Sequence, residues 1–269
     1  MTAAERFVWT AAIPAARSTA VIATTDVKKA INVLHEEFFE TSYKQVNVYI
    51  AGAGNVGGKL IDQINKQVAY LKKSLRLQIN IVGIANSKRQ LINIEGLDLT
   101  NWKEQLAAAP TGTTAEYVAA ITDNNLRNSI FVDVTAHETV ANVYAQLLEK
   151  AVSVVACNKI ACSSPYENYA KLKSLAREFN ASFLFETNVG ASLPIIGTLN
   201  DLIRSGDNIH KIEAVLSGTL NFVFNNFLVC AKEKLTATAV SNKFWKLISS
   251  LLTGLLPMIV AIGSILLAY

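Results

Sequence analysis

Apolar and polar positions along this chain fall into two rhythms that replace one another between residues 46 and 185. Val46-Asn-Val48-Tyr-Ile50-Ala51 is β-branched and mostly apolar, which predicts a short buried strand. Leu60, Ile61, Ile64, Val68 and Leu71 then recur at helical spacing. A second strand is predicted from Leu77 to Ile84, and a helical stretch from Trp102 to Ala108 stops at Pro110. Ile130-Phe-Val-Asp-Val134 reads as a strand leading into Thr135 and a helix through Val140, Val143, Leu147 and Leu148. Strand Val152–Ala156, a helix around Tyr169 to Phe179, strand Phe183–Phe185 and an apolar strand from Ile212 to Leu216 complete the series. Upstream, Val27, Ala30, Ile31, Val33, Leu34 and Phe38 predict an amphipathic helix capped by Asp26, with Glu36, Glu37 and Glu40 on its solvated face. Strands alternating with helices of this length predict an α/β fold built on a doubly wound parallel sheet.

Ligands of such sheets bind beyond the carboxyl ends of the strands. Gly52, Asn86, Thr135 and Asn158-Lys159 all follow strand ends and are expected to converge. Gly52-Ala-Gly54-Asn55-Val56-Gly57 falls at the first strand-to-helix turn, where a dinucleotide fingerprint has to sit. There Gly52 allows the tight turn, Gly54 lets backbone approach a pyrophosphate, and Gly57 lets helix and strand pack closely. The unpaired N–H groups and dipole of the helix start favour phosphate charge. The alternative is a glycine turn that holds no ligand.

Composition changes this picture in two places. The chain has 269 residues, a formal net charge of +4 and no basic stripe interleaved with aromatics, so nucleic acid is not an expected partner. Three cysteines, an odd number, argue against a disulfide framework and fit reduced thiols in a cytoplasmic protein. Hydrophobic residues make up 51% and mean hydropathy is +0.28, an excess concentrated near one end. No charged residue occurs from Leu247 to Tyr269, a run of about 23 residues that is long enough to cross a membrane.

Asn86-Ser87-Lys88-Arg89 ends the second strand without an acid. A carboxylate there suits the ribose 2′-hydroxyl of NAD, whereas Ser87 with Lys88 or Arg89 suits the 2′-phosphate of NADP. NADP is therefore the expected cofactor, with NAD as the alternative, and an ordinary solvated turn is the bland reading. Lys159 is placed at the mouth of the cleft, where it either polarises a carbonyl or is a plain surface lysine. Glu186-Thr-Asn-Val189-Gly-Ala191-Ser-Leu193-Pro194 combines one carboxylate with backbone carbonyls that suit an oxygen-preferring cation. Ser217-Gly-Thr-Leu-Asn221 is a second polar turn. His35, His137 and His210 show neither metal nor hydrolase spacing, and His137 is best read as a solvated helix start.

Taken in order, Ile50-Ala-Gly-Ala-Gly-Asn-Val-Gly57, Val132-Asp-Val-Thr135, Asn158-Lys159, Glu186 to Pro194 and Leu216-Ser-Gly-Thr-Leu-Asn221 resemble homoserine dehydrogenase. The dehydrogenase half of the bifunctional aspartokinase–homoserine dehydrogenases is the form they match best, over roughly residues 26–228. The resemblance implies a Rossmann-type nucleotide domain and NAD(P)-dependent interconversion of aspartate 4-semialdehyde and homoserine, on the route to threonine and methionine. It implies dinucleotide contacts from Gly54, Asn55, Val56, Thr135 and Lys159, and a sodium site at Glu186, Val189, Ala191 and Leu193. Ala136-His137 departs from the family, where small hydroxyl residues usually follow the threonine.

A larger departure begins at about 229. The family's glycine-rich Tyr-Thr-Glu-Pro-Asp-Pro segment, and the aspartate and catalytic lysine beyond it, do not occur in this sequence. No residue inherits those roles, which leaves Lys159 as the only catalytic candidate. The expected organisation is an N-terminal segment at 1–44 like the end of a regulatory region and a dinucleotide-binding domain at 45–185. The start of a truncated α+β substrate and dimerisation domain follows at 186–230, then a basic linker and apolar helix at 231–269. A complete substrate domain would imply a homo-oligomer. The expected site is cytoplasmic, with a membrane anchor through 247–269. Two alternatives stand beside the enzyme reading: a non-catalytic, membrane-tethered NADP-binding module, or a truncated reading frame.

Overall fold

The structure is a computed structural model that describes residues 43–190 and 193–214, with isolated positions at 23, 26, 27, 30, 31, 34 and 221. The strands are β1 (Lys44–Ala51), β2 (Leu77–Ala85), β3 (Gln90–Ile92), β4 (Ser129–Asp133), β5 (Ser153–Ala156) and β6 (Phe183–Leu184). They form one sheet in the order β3-β2-β1-β4-β5-β6. All neighbouring pairs are parallel except β2 and β3, so the expected parallel sheet carries one antiparallel edge strand. The chain builds outward from β1 to β3 and then returns to β4 on the other side of β1. That reversal opens a crevice at the carboxyl ends of β1 and β4, where doubly wound sheets bind ligands.

Side chains alternate across the sheet and so divide the core in two. Val46, Val48 and Ile50 face α1 (Asn55–Leu75) and α2 (Trp102–Ala108), and pack with Leu60, Ile61, Ile64, Leu71, Trp102 and Leu106. Tyr49 and Ala51 face the opposite layer: α3 (Thr114–Asn124), α4 (Glu138–Ala141), α5 (Tyr144–Glu149), α6 (Ile160–Ser163) and α7 (Tyr166–Glu178). A row of rings crosses this second layer, Tyr49 to Tyr117, Phe131, Tyr144, Phe183 and Phe185, with centroids 5.1–6.5 Å apart. Such spacing suits edge and tilted aromatic pairs. A short turn of 3-10 helix (Glu186–Asn188) then leads to α8 (Ile195–Arg204).

Several expectations need correction. Val68, expected on the buried face of α1, is 39% exposed at the margin of the stripe, whereas Leu71 beyond it is buried. The helix expected through Val140 and Leu148 is two short helices, because Asn142 and Val143 form a turn between them. Ile212 to Ala214 are not strand and Ile212 is exposed, since no neighbouring strand among the described residues pairs with them. Val27, Ala30, Ile31 and Leu34 are helical, but Val27, Ile31 and Leu34 expose their apolar side chains. The uncharged run 247–269 and the turn at 217–220 lie outside the described residues. Among the described residues no helix is long and apolar enough to cross a membrane.

Candidate functional site

The carboxyl ends of β1 and β2 are locked together before the site begins. Gly52 N–H donates to the Ala85 carbonyl at 2.8 Å, and Val134 N–H donates to the Ala51 carbonyl at 2.9 Å. Gly52 then turns with φ +108°, a conformation that L side chains rarely adopt, and a Cβ there would press on the Val134 carbonyl oxygen at 3.0 Å. A Cβ on Gly57 would overlap the Gly52 carbonyl oxygen, so this glycine is what allows α1 to leave the strand so closely. Gly54 is different: it is exposed, and a Cβ there would meet nothing within 4 Å. The first turn of α1, with Asn55, Val56 and Gly57, has no side-chain cap and no acid. Its amide donors and dipole are therefore available to an anion.

Beside this turn lies a cleft of about 220 Å³. Gly52, Ser87, Arg89 and Thr135 line it, so the structure brings these four expected residues together. Gly54, Asn55, Val56 and Lys159 lie outside its lining. Ser87 and Arg89 belong to a hairpin between β2 and β3 built by Asn86. The Asn86 Oδ1 accepts the N–H groups of Lys88 and Arg89, both at 2.8 Å, and its own N–H donates to the Arg89 carbonyl. The half-buried Arg89 guanidinium donates to the Ala109 carbonyl, which ties the hairpin to the loop before α3. That loop supplies Gly112 and Thr113, and α3 supplies Thr114 and Tyr117, to the opposite wall. His137 also lines the cleft; it is exposed at the start of α4, as expected.

Sequence reasoning missed the group beneath the cleft. Asp133 is 0% exposed at the end of β4. Its Oδ1 accepts the Thr135 N–H at 2.7 Å, and its Oδ2 accepts the Tyr144 hydroxyl at 2.5 Å and the Asn158 amide at 3.0 Å. Burial, and after it the neighbouring Asp133, push the Tyr144 phenol far above its ordinary range. The signal was an acid inside the otherwise apolar run Ile130-Phe-Val-Asp-Val134. Lys159 is exposed immediately after Asn158, at the start of α6. Cys157 and Cys162 are unpaired thiols, as expected, and burial pushes both up from the usual thiol value.

Of the residues expected to hold a cation, Glu186 gives both carboxylate oxygens to the amino end of α8, accepting Ile196 N–H at 2.7 Å and Gly197 N–H at 2.6 Å. The Leu193 carbonyl accepts Ile195 N–H at 2.9 Å. Ala191 lies outside the described residues. Among the described residues no group of three His, Cys, Asp or Glu side chains is placed to hold a metal ion.

A family model for the homoserine dehydrogenase NAD-binding domain matches residues 52–186, and a second, for homoserine dehydrogenase, matches residues 194–244. The second match continues past position 229, where the sequence reading placed the departure from the family. The chloroplastic bifunctional aspartokinase/homoserine dehydrogenase 2 of Zea mays is 37% identical over 211 residues, 78% of this chain and 23% of that protein. The homoserine dehydrogenase of Schizosaccharomyces pombe is 32% identical over 186 residues, 68% of this chain and 50% of that protein. A hyperthermophilic archaeal homoserine dehydrogenase mutant, solved in complex with NADPH, is 26% identical with TM-score 0.57 and covers 73% of this chain and 62% of its own. The chain thus spans about a quarter of the fused plant relative and half of the fission yeast enzyme.

Proposed function

The chain belongs to the homoserine dehydrogenase family, and from that premise we propose that residues 45–185 bind NADP(H) for the interconversion of aspartate 4-semialdehyde and homoserine. The observation that carries this reading is Gly54, a glycine with open space and an ordinary backbone beside an uncapped helix start. No neighbouring atom of the fold requires a missing side chain there, whereas a pyrophosphate does. When bound, the dinucleotide supplies or takes the hydride. The amides of Asn55 and Val56 hold its phosphates, Ser87 and Arg89 its 2′-phosphate, and Thr135 and Lys159 its nicotinamide side.

Reduction of the aldehyde also needs a proton at the oxygen, and the family's lysine for that step is not among these residues. Among the described residues Lys159 is the candidate. The sodium ion implied by the resemblance, at Glu186 and the carbonyls of Val189, Ala191 and Leu193, belongs to the same proposal; the Glu186 carboxylate there also accepts two N–H groups at the start of α8. No step is derived through the ion. Residues 186–230 as the opening of a substrate and dimerisation domain, self-association through a complete one, and a membrane anchor at 247–269 belong to the same proposal.

The test is a fluorescence titration of the full chain with NADPH and NADH, followed by homoserine-dependent reduction of NADP+. Binding of NADPH is expected, with turnover about 10²–10⁴-fold below an enzyme that has its acid–base lysine. Failure to bind either nucleotide would overturn the proposal. A rate equal to that of complete relatives would show that Lys159 or another residue here moves the proton.

A further inference from the structure

We propose that Asp133 is a positioning residue, whose buried carboxylate fixes the Thr135–His137 turn and the Asn158–Ile160 turn on either side of the site. Its bearing on the cofactor rests on the functional reading above.

A carboxylate taken out of water is costly unless it is well paired. The donors that reach Asp133 are an amide N–H, a phenol and a carboxamide, with no lysine, arginine or histidine among them. Its neighbours on β4, Ile130 to Val132, are fully buried apolar residues, so the fold alone calls for another of that kind. Both Asp133 oxygens accept in the structure, and this decides how its partners are oriented.

Asn158 is 1% exposed and must turn its NH2 toward Asp133. In that orientation the same NH2 donates to the His137 carbonyl at 3.0 Å and lies 3.5 Å from Thr135 Oγ1. The Asn158 Oδ1 is thereby left to accept Ile160 N–H at 3.1 Å, which shapes the turn that carries Lys159. Thr135 Oγ1 also accepts His137 N–H at 3.2 Å. The His137 N–H thus holds the Thr135 hydroxyl where Thr135 lines the cleft. One carboxylate therefore sets two turns.

In Asp133→Asn an NH2 replaces one acceptor oxygen. If it faces Asn158, that amide has to flip and loses both the His137 carbonyl and the Ile160 N–H. Tyr144→Phe removes another donor of the same carboxylate and leaves both turns alone. Hydrogen exchange is measured on the full chain without nucleotide. We expect the Thr135, His137 and Ile160 amides to exchange about tenfold faster or more in Asp133→Asn, and within about threefold of wild type in Tyr144→Phe. The swap Asp133→Asn/Asn158→Asp restores the donor–acceptor pair and the acceptor for Ile160 N–H but leaves the His137 carbonyl without a donor, so protection is expected to return at Ile160 and not at His137.

Unchanged exchange in Asp133→Asn, or equal acceleration in Tyr144→Phe, would overturn the proposal. Should Asp133→Asn fail to fold, Asn158→Ala cuts the same link from the other side, and unchanged exchange at His137 and Ile160 in that variant would overturn it equally. NADPH affinity gives the second readout: about tenfold weaker in Asp133→Asn and within about threefold in Tyr144→Phe. A wild-type chain that binds no nucleotide would sink the functional reading, while the exchange arms would still decide the role of Asp133.

Discussion

Replacing Gly54 with Ala should cost cofactor and not stability, and replacing Gly57 with Ala should do the reverse. Gly54 has φ −79° and ψ −156°, which an alanine adopts without strain, and its Cβ would meet no atom within 4 Å. Two small terms then oppose each other in the nucleotide-free protein. Alanine restricts the unfolded chain and stabilises by about 0.4–1 kcal/mol, while it caps a helix less well than glycine by a similar amount. The melting temperature should stay close to wild type. A methyl group where the pyrophosphate approaches is an overpacked contact costing about 1–3 kcal/mol, so Kd for NADPH should rise about 5- to 150-fold.

At Gly57 the added Cβ overlaps the Gly52 carbonyl oxygen and comes within 3.1 Å of Val134 Cγ2. The oxygen belongs to backbone held by the Gly52–Ala85 hydrogen bond, so it has little room to retreat. A loss of about 3 kcal/mol or more follows, or a fall in Tm of roughly 6–12 °C for a chain of this size. The assays are thermal melts without nucleotide and fluorescence titration with NADPH. Wild-type affinity in Gly54→Ala would refute the reasoning about the ligand, and a wild-type melt in Gly57→Ala would refute the reasoning about the turn.

Arg89→Ala should weaken NADPH by about 1.5–3 kcal/mol and leave NADH nearly unchanged; equal losses for both in parallel titrations would remove Arg89 from the 2′-phosphate. Burial raises the phenols of Tyr49 (to about 12), Tyr117 and Tyr144 above the ordinary 10.0. The stability that these neutral phenols give is complete below the unfolded value and is lost as pH rises through it toward the folded values. Between about pH 10 and 12 the slope should approach 4 kcal/mol per pH unit, at about 1.4 per phenol, and Tyr144→Phe should remove about a third of it. An unaltered slope in urea melts across that range would contradict the assignment. If the chain is expressed as written, carbonate extraction should leave it in the membrane fraction through residues 247–269, and recovery as a monodisperse soluble species would rule the anchor out.

The pieces of the site legible in the sequence are those in which a strong period ends in unusual chemistry. β1 and α1 have clear rhythms, and the glycines lie at their junction, so Gly52, Gly54 and Gly57 fall where expected. β3 escaped because three residues have no period; Asn86 and its turn create it. α3 escaped because its apolar face is narrow, although Thr113 and Glu116 form a capping box that the spacing Thr-x-x-Glu announces. Glu186 was legible as an acid after a strand but not as the group that holds the start of α8, since that role depends on where α8 begins. Asp133 was in view and passed over. A lone acid in a buried strand says only that donors must surround it, and the donors come from positions 135, 144 and 158.

The hairpin after β2 supports the proposed preference for a 2′-phosphate in a way that the sequence argument did not reach. The absence of an acid at that strand end leaves open whether another acceptor takes over the contact to a ribose hydroxyl. Asn86 lines the cleft at that strand end, and its Oδ1 is already occupied by the N–H groups of Lys88 and Arg89. No acceptor of that side chain is left to face the cleft. What the hairpin offers there is a hydroxyl from Ser87, a guanidinium from Arg89 and the Gln90 carboxamide, whose buried Oε1 has no hydrogen-bond partner. Only part of that guanidinium is used on the Ala109 carbonyl, out of five N–H donors. The remaining donors are held in place by the bond that consumes the first, which lowers the entropy lost when a phosphate is gripped. The tether to Ala109 therefore holds a guanidinium beside Ser87, as the proposed phosphate contact requires.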